Sequence, residues 1–255
     1  MDKIKKYLCI TVVAVAVIAV WILIEFNNYI EQNTTEYDRY QAGAYDLSTM
    51  KSVNEIKSTD EIWVGKHLKF GKYEQDGFWY NGREEISWRV LAIEDDKALL
   101  ISEKLLDYVP YHDKWEDVTW ETCSLRRWLN EDFYKKAFGF FERGKIALTT
   151  LDNSANEEYG TVSCTDTQDK IFVLSIDEVL EYFNSDEDIS TSVTDYAQIK
   201  SRVGLIWSSW WLRSMYSSEY YYIPATVHYY GGIDKIKILS DNTYTAVRPA
   251  MWVKF

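Results

Sequence analysis

The stretch Ile86-Ser87-Trp88-Arg89-Val90-Leu91-Ala92-Ile93, followed by Glu94-Asp95-Asp96-Lys97 and Ala98-Leu99-Leu100-Ile101, decides the fold. Its apolar residues alternate at first and then run together, the pattern of a strand passing from half-buried to central. The charged tetrad reads as a turn and the four apolar residues after it as a return strand, so the segment predicts a β-hairpin. Upstream, Leu68, Phe70 and the alternation to Tyr73 predict a preceding strand. Downstream the period changes: Leu125, Trp128, Leu129 and Phe133 recur at helical spacing, with Thr119 or Thr122 as the cap. Ser175-Ile176-Asp177-Glu178 is a capping box that opens a second helix with Ile176, Val179, Leu180 and Phe183 as its buried stripe. Short strands are expected at 146–150 and 170–174. The last quarter is strand-like, with a Gly231-Gly232 turn before a strand over 233–239 and a closing strand over 247–253. Strands at both ends with two helices between them predict a compact α+β domain whose termini meet in one sheet.

Ahead of that domain, residues 7–24 contain no charged side chain. At about 1.5 Å per residue this run reaches roughly 27 Å, close to the hydrocarbon thickness of a bilayer. Tyr7 and Trp21 sit near its ends, where amphipathic rings favour the interface. No small-residue cleavage pattern follows, as a secretory signal requires. Lys3, Lys5 and Lys6 precede the run and Glu25 and Glu31 follow it, so the N-terminus is expected inside. The expected layout is a cytoplasmic segment over 1–6, a transmembrane helix over 7–26 with the lipid bilayer as its partner, a polar stalk over 27–61 and an extracytoplasmic domain over 62–255.

The net charge of −12 excludes nucleic acid as a partner, because no basic stripe exists to neutralise phosphates. It also disfavours docking of the domain on anionic lipid. The hydrolase elbow, the zinc-protease helix, the phosphate loop and the dinucleotide glycines are all missing. His67, His112 and His228 lie far apart; His67 reads as a surface residue and His112 as part of a polar aromatic loop. Asp186-Glu187-Asp188 reads as a solvated charge run, since the ligand spacing of a calcium loop is absent. No cofactor and no metal site is expected. An oxidising compartment permits a disulfide between Cys123 and Cys164, and two buried thiols are the alternative; their spacing favours neither.

Aromatic content rises above background, with 20 tyrosines and 11 tryptophans. Trp88, Trp128, Trp211 and Trp252 fall on core positions. The runs Tyr216 to Tyr222 and Tyr229-Tyr230 differ, because consecutive strand residues face opposite sides and some rings must be exposed. Exposed tyrosine offers rigid amphipathic contact area. The candidate ligand-binding residues are therefore Tyr216, Tyr220, Tyr221, Tyr222, His228, Tyr230 and Asp234.

Six blocks in order point to a family: Phe70-Gly71-Lys72-Tyr73, Ile86 to Leu91, Leu125-Arg126-Arg127-Trp128-Leu129-Asn130, Asp169 to Ser175, Trp210-Trp211-Leu212-Arg213-Ser214 and Val247-Arg248-Pro249-Ala250. Over residues 62–255 the chain resembles a bacterial domain-of-unknown-function family, family 6273. That family is similar to C-type-lectin-like folds and distantly to formylglycine-generating enzymes, the sulfatase-modifying factors. The resemblance implies paired terminal strands, two flanking helices and long functional loops. It implies structural roles for Arg126, Trp128, Asn130, Trp211, Arg213, Arg248 and Pro249. Formylglycine-generating enzymes hold copper on a late cysteine pair, and here no cysteine follows Cys164. The calcium triplets of sugar-binding lectins are absent too.

The expected function is a membrane-anchored extracytoplasmic module that binds a glycan, peptide or envelope protein through loop aromatics. The alternatives are an enzyme with an unrecognised site on the same scaffold and a structural envelope component. An enzyme predicts converging ionisable groups in a pocket, a binder an exposed aromatic platform, and an assembly protein a large flat apolar patch.

Overall fold

Alternation over the deciding stretch has its expected consequence: Ile86, Trp88 and Val90 are all fully buried on one face of a strand. The computed structural model describes residues 50–114, 116–201, 208–217, 222–234 and 245–255. The segment assigned to the bilayer lies outside them. Among the described residues no helix is long and apolar enough to cross a membrane.

The strands are β1 (His67–Tyr73), β2 (Glu84–Glu94), β3 (Lys97–Ser102), β4 (Asp107–Tyr108), β5 (Thr149–Leu151), β6 (Thr161–Val162), β7 (Thr167–Asp169), β8 (Trp210–Ser217), β9 (Tyr222–Val227), β10 (Ile233–Asp234), β11 (Ala246–Val247) and β12 (Ala250–Lys254). The helices are short: α1 (Ser124–Trp128), continued by a π-helical turn Leu129–Phe133 into α2 (Tyr134–Ala137), then α3 (Phe140–Lys145), α4 (Ile176–Tyr182), α5 (Asp186–Ile189) and α6 (Asp195–Ser201). The class is a sheet-rich α+β domain.

One sheet runs β1-β2-β3-β12, all antiparallel, with Trp252 opposite Leu99. The terminal strands therefore share a sheet, as the pattern predicts, but do not pair as the resemblance implies. Both edges of β1 are occupied already. One edge pairs with β2, and the other is covered by the chain just before it, where Lys69 N–H donates to the Lys51 carbonyl at 3.0 Å. The last strand takes the free edge of β3 instead. Its own outer edge is closed by Phe172, bridged to Ala250, and by Ile146, bridged to Val253. Only Phe172 of the strand expected at 170–174 is so paired. A second sheet runs β10-β9-β8-β11-β4 with β6 also on β8.

Residues 50–61 are part of this unit, which begins at Met50, and do not form a stalk. Val53 and Ile56 are buried in the core, and Ser52 caps the turn Val53–Glu55 with a capping box. Singly scattered apolar residues hid this, because two of them suffice when a sheet edge stands ready to cover them.

Two bulges shape the first sheet. A register shift between Lys69 and Lys72 falls at Gly71, whose φ of 69° a glycine adopts without strain. It leaves the Phe70 carbonyl free to accept the Trp88 indole N–H at 2.7 Å. A second shift between Val90 and Ala92 lets Val90 and Leu91 both be buried. Along the helical segment Leu125, Leu129 and Phe133 make the buried stripe, and Phe133 stacks 5.1 Å from Tyr73. The capping box of α4 is formed as the sequence predicts: Ser175 Oγ accepts Glu178 N–H, and Glu178 Oε2 accepts Ser175 N–H.

Candidate binding surface

Four of the six blocks quoted above build clamps. Cys123, not Thr119 or Thr122, caps α1: its sulfur accepts the Arg126 amide at 3.4 Å and donates to the Trp120 carbonyl. One turn on, Asn130 Nδ2 donates to the carbonyls of Arg126 and Ile171, and its Oδ1 accepts the amides of Lys170 and Ile171. This single amide ties the helix to the end of β7. The buried Asp169 carboxylate accepts Arg126 Nε at 2.7 Å, Trp120 Nε1 at 3.0 Å and Thr167 Oγ1 at 2.8 Å. Above it lies an open cleft of about 480 Å³ lined by Glu121, Arg126, Asn130, Gln168 and Lys170, but its one buried acid is already satisfied by donors.

Arg213 is buried and forks onto the Glu178 carboxylate, with Nη2 2.8 Å from Oε1 and Nη1 bound to Oε2. Its remaining donors reach Asn153 Oδ1 and the Val173 and Asp152 carbonyls. Arg248 donates to the Ser102 and Ile189 carbonyls and lies over the rings of Phe183 and Trp210. Pro249 contributes its carbonyl to the Ser102 amide. Trp211 is buried and donates to the Val109 carbonyl, and Trp128 stacks on Phe133.

Among the described residues the buried His67 and His112 are each paired locally. His67 is buried, not on the surface, with Nε2 2.8 Å from Glu103 Oε2. Burial pushes the Glu103 carboxyl up, but the His67 hydrogen bond and the charges of His67, Arg248 and Arg89 outweigh it and hold the group at about 2. His112 accepts the Ser124 amide on Nδ1, and its Nε2 lies 2.9 Å from Glu116. Asp188 is not simply solvated: Arg89 grips both its carboxylate and its carbonyl. Cys123 and Cys164 are free thiols rather than a bridge, and burial pushes the Cys123 thiol up to about 12. Carboxylate oxygens of Glu74, Asp76 and Glu84 lie within 4.8 Å of one another, a donor set suited to a hard cation. Each of the three also accepts a backbone amide, from Gly77, Phe78 and Gln75 respectively.

The tyrosine run divides. Tyr216 is only 9% exposed and belongs to the core. This corrects its assignment to the binding face. Tyr220 and Tyr221 lie outside the described residues. The backbone of Tyr222 pairs with Ser217, and that of Asp234 with Thr226. After β9 the chain turns through His228, Tyr229 and Tyr230, whose rings stack with centroids 3.9–4.6 Å apart. Tyr230 is 69% exposed. Gly231 has a φ of 104° and sits against the Asp186 backbone, which fixes this turn.

A second aromatic turn, absent from the sequence-based candidates, joins β1 to β2. Phe78, Trp79 and Tyr80 project from it, with Trp79 84% and Tyr80 71% exposed. The loop is built to hold them: Asp76 accepts the Phe78 amide and the Asn81 side chain, both at 2.7 Å, and Asn81 N–H donates to the Phe78 carbonyl. Tyr196 N–H fastens its base through the Gln75 carbonyl. Exposed Ile199 stands beneath Gly77 and extends the apolar ledge. The spacing Asp76…Asn81 around three aromatics, bounded by Gly77 and Gly82, was the available signal.

Fold and surface together define a sheet-rich α+β domain with clamped loops and projecting aromatic turns. The chain belongs to a family of domains of unknown function (DUF6273), whose profile matches residues 95–255. No curated protein and no solved structure matches it. The match contains Asn130, Asp169, Arg213 and Arg248 and the turn at Tyr230, and it begins after the ledge at Phe78–Tyr80.

Proposed function

We propose that the protein is a membrane-anchored extracytoplasmic binding module that presents aromatic turns to a glycan, peptide or envelope protein. Residues 7–26 span the bilayer with the N-terminus in the cytoplasm, and the domain from Met50 onward stands outside. We read that domain as C-type-lectin-like, on the grounds that its last strand returns to the first sheet and its long connections bear the exposed rings, and as bacterial on the resemblance of its sequence blocks. One observation supports the reading above all: Phe78, Trp79 and Tyr80 are exposed on a loop whose backbone is fixed by Asp76, Asn81 and Glu74. Rings held rigidly in water lose little conformational entropy when they meet a partner.

The test is retention of the full chain, in detergent, on a glycan and envelope-protein array. W79A/Y80A is expected to lose retention by roughly tenfold or more while its unfolding temperature stays within about 2 °C, as for surface changes worth about 0.5 kcal/mol. Undiminished retention by that variant and by a Tyr229/Tyr230 double-alanine variant would overturn the assignment.

A further inference from the structure

In a chain of net charge −12, one face is basic. Residues 134–145 read Tyr134-Lys135-Lys136-Ala137-Phe138-Gly139-Phe140-Phe141-Glu142-Arg143-Gly144-Lys145. Phe138 turns inward and packs on Phe70 and Phe133. Phe140 and Phe141 do the opposite: they are 78% and 87% exposed, their rings 5.6 Å apart, on a helix that buries none of its residues. Water-facing phenylalanine pairs on a helix serve no packing role in the fold.

The cations around them form no ion pair among the described residues. Lys135 and Lys136 are exposed, Arg143 and Lys170 lie over the Tyr134 ring, and the Arg83 guanidinium binds the Lys136 carbonyl. With Lys145 they make six, and among the described residues no carboxylate forms an ion pair with any of them. Glu142, the one acid of the segment, points inward, where Oε1 accepts Gly71 N–H and Oε2 accepts Gly139 N–H. The negative total does not cancel this face, since screening limits each charge to about 8–10 Å at physiological salt. The described chain also begins beside it: Asn54 Nδ2 donates to Glu142 Oε1 at 3.5 Å, and 1–49 lie before Met50. Fully extended, residues 27–49 span roughly 80 Å at most, so the tether permits contact with the bilayer.

We propose that Phe140 and Phe141, within this collar of cations, dock the domain on an anionic phospholipid surface. Aromatic rings entering the headgroup region beside lysine and arginine is the chemistry of interfacial anchoring. The proposal rests on the anchored reading above, and its test separates the two. The full chain is reconstituted in nanodiscs of phosphatidylcholine with a photoactivatable lipid, with and without phosphatidylglycerol, and adducts are mapped by mass spectrometry. Adducts on 134–145 are expected, dependent on phosphatidylglycerol and lost in about 1 M salt, where the screening length is about 3 Å. F140S/F141S should lower their yield roughly tenfold or more with unchanged circular dichroism; K135E/K136E tests the same contact through charge. Adducts confined to 7–26 would overturn the docking face and leave the anchor standing. Adducts on 134–145 without any on 7–26 would keep the docking face and remove the anchor. Copy-to-copy cross-links through Phe141 in place of lipid adducts would make the face a self-association site and overturn the proposal.

Discussion

Replacing Arg213 by Met removes a guanidinium fork but keeps a chain of similar length in the core. The wild-type side chain is 4% exposed and bonds both oxygens of Glu178, Asn153 Oδ1 and the carbonyls of Val173 and Asp152. In R213M the Glu178 carboxylate, whose side chain is only 20% exposed, loses its cation while still capping α4 through the Ser175 amide. Removing one partner of a buried ion pair costs about 3–5 kcal/mol, chiefly through the charge left behind. At about 2–4 °C per kcal/mol for a domain of this size, the unfolding temperature should fall by about 6–20 °C. Thermal denaturation of the full chain in detergent, followed by circular dichroism, measures it. R213K should recover little, because a single ammonium cannot reproduce the fork onto two oxygens together with the side bonds. R213M/E178L should be less destabilised than R213M alone, since the stranded charge is gone, although loss of the capping box still costs about 1 kcal/mol. An R213M transition within about 2 °C of wild type, or full recovery by R213K, would refute the clamp.

The local grammar of the chain was legible where a short period or a turn fixed the outcome. Ile86, Trp88 and Val90 declared one strand face, and Ser175 with Glu178 declared the start of α4. Long-range choices were not legible. Nothing in Val53 or Ile56 says that a sheet edge will cover them, and nothing in the strand patterns says that β12 prefers β3 over β1. Candidate sites failed for the same reason. Strand alternation requires that some tyrosines of 216–222 be exposed, but which ones depends on what packs on each sheet face, and Tyr216 lies in the core. Exposure of Phe140 and Phe141 was equally hidden, because a phenylalanine pair on a short amphipathic stretch has the same pattern as core. His67 showed nothing of Glu103, its partner across 36 residues. The arginines and asparagine of the family blocks were easier, since planar donors between apolar residues demand acceptors close by.

Three further outcomes follow from the same geometry. Glu103, held at about 2, stabilises the fold above the ordinary glutamate range and loses that contribution as pH falls through its folded value. Between about pH 5 and pH 2 the wild type should therefore lose up to about 3 kcal/mol more than E103Q, and equal acid sensitivity in urea titrations would exclude the pairing. Cys123, buried with its thiol pushed up to about 12, should resist iodoacetamide at neutral pH while the half-buried Cys164 reacts first; the order is read by peptide mass spectrometry, and the reverse order would contradict the burial of the cap. G71A tests the bulge itself. Its φ of 69° strains any residue with a Cβ, and that atom would lie 2.5 Å from Phe138 Cε1 and 2.9 Å from the Ala137 carbonyl. The ring can shift only by opening its contacts with Phe70 and Phe133, and the carbonyl belongs to the helix end, so relief must come from the strand. A loss of about 2–4 kcal/mol is expected from strain and overpacking together. If G71A instead unfolds at the wild-type urea midpoint, β1 does not turn at this glycine, and the path by which the Phe70 carbonyl reaches the Trp88 indole is wrong.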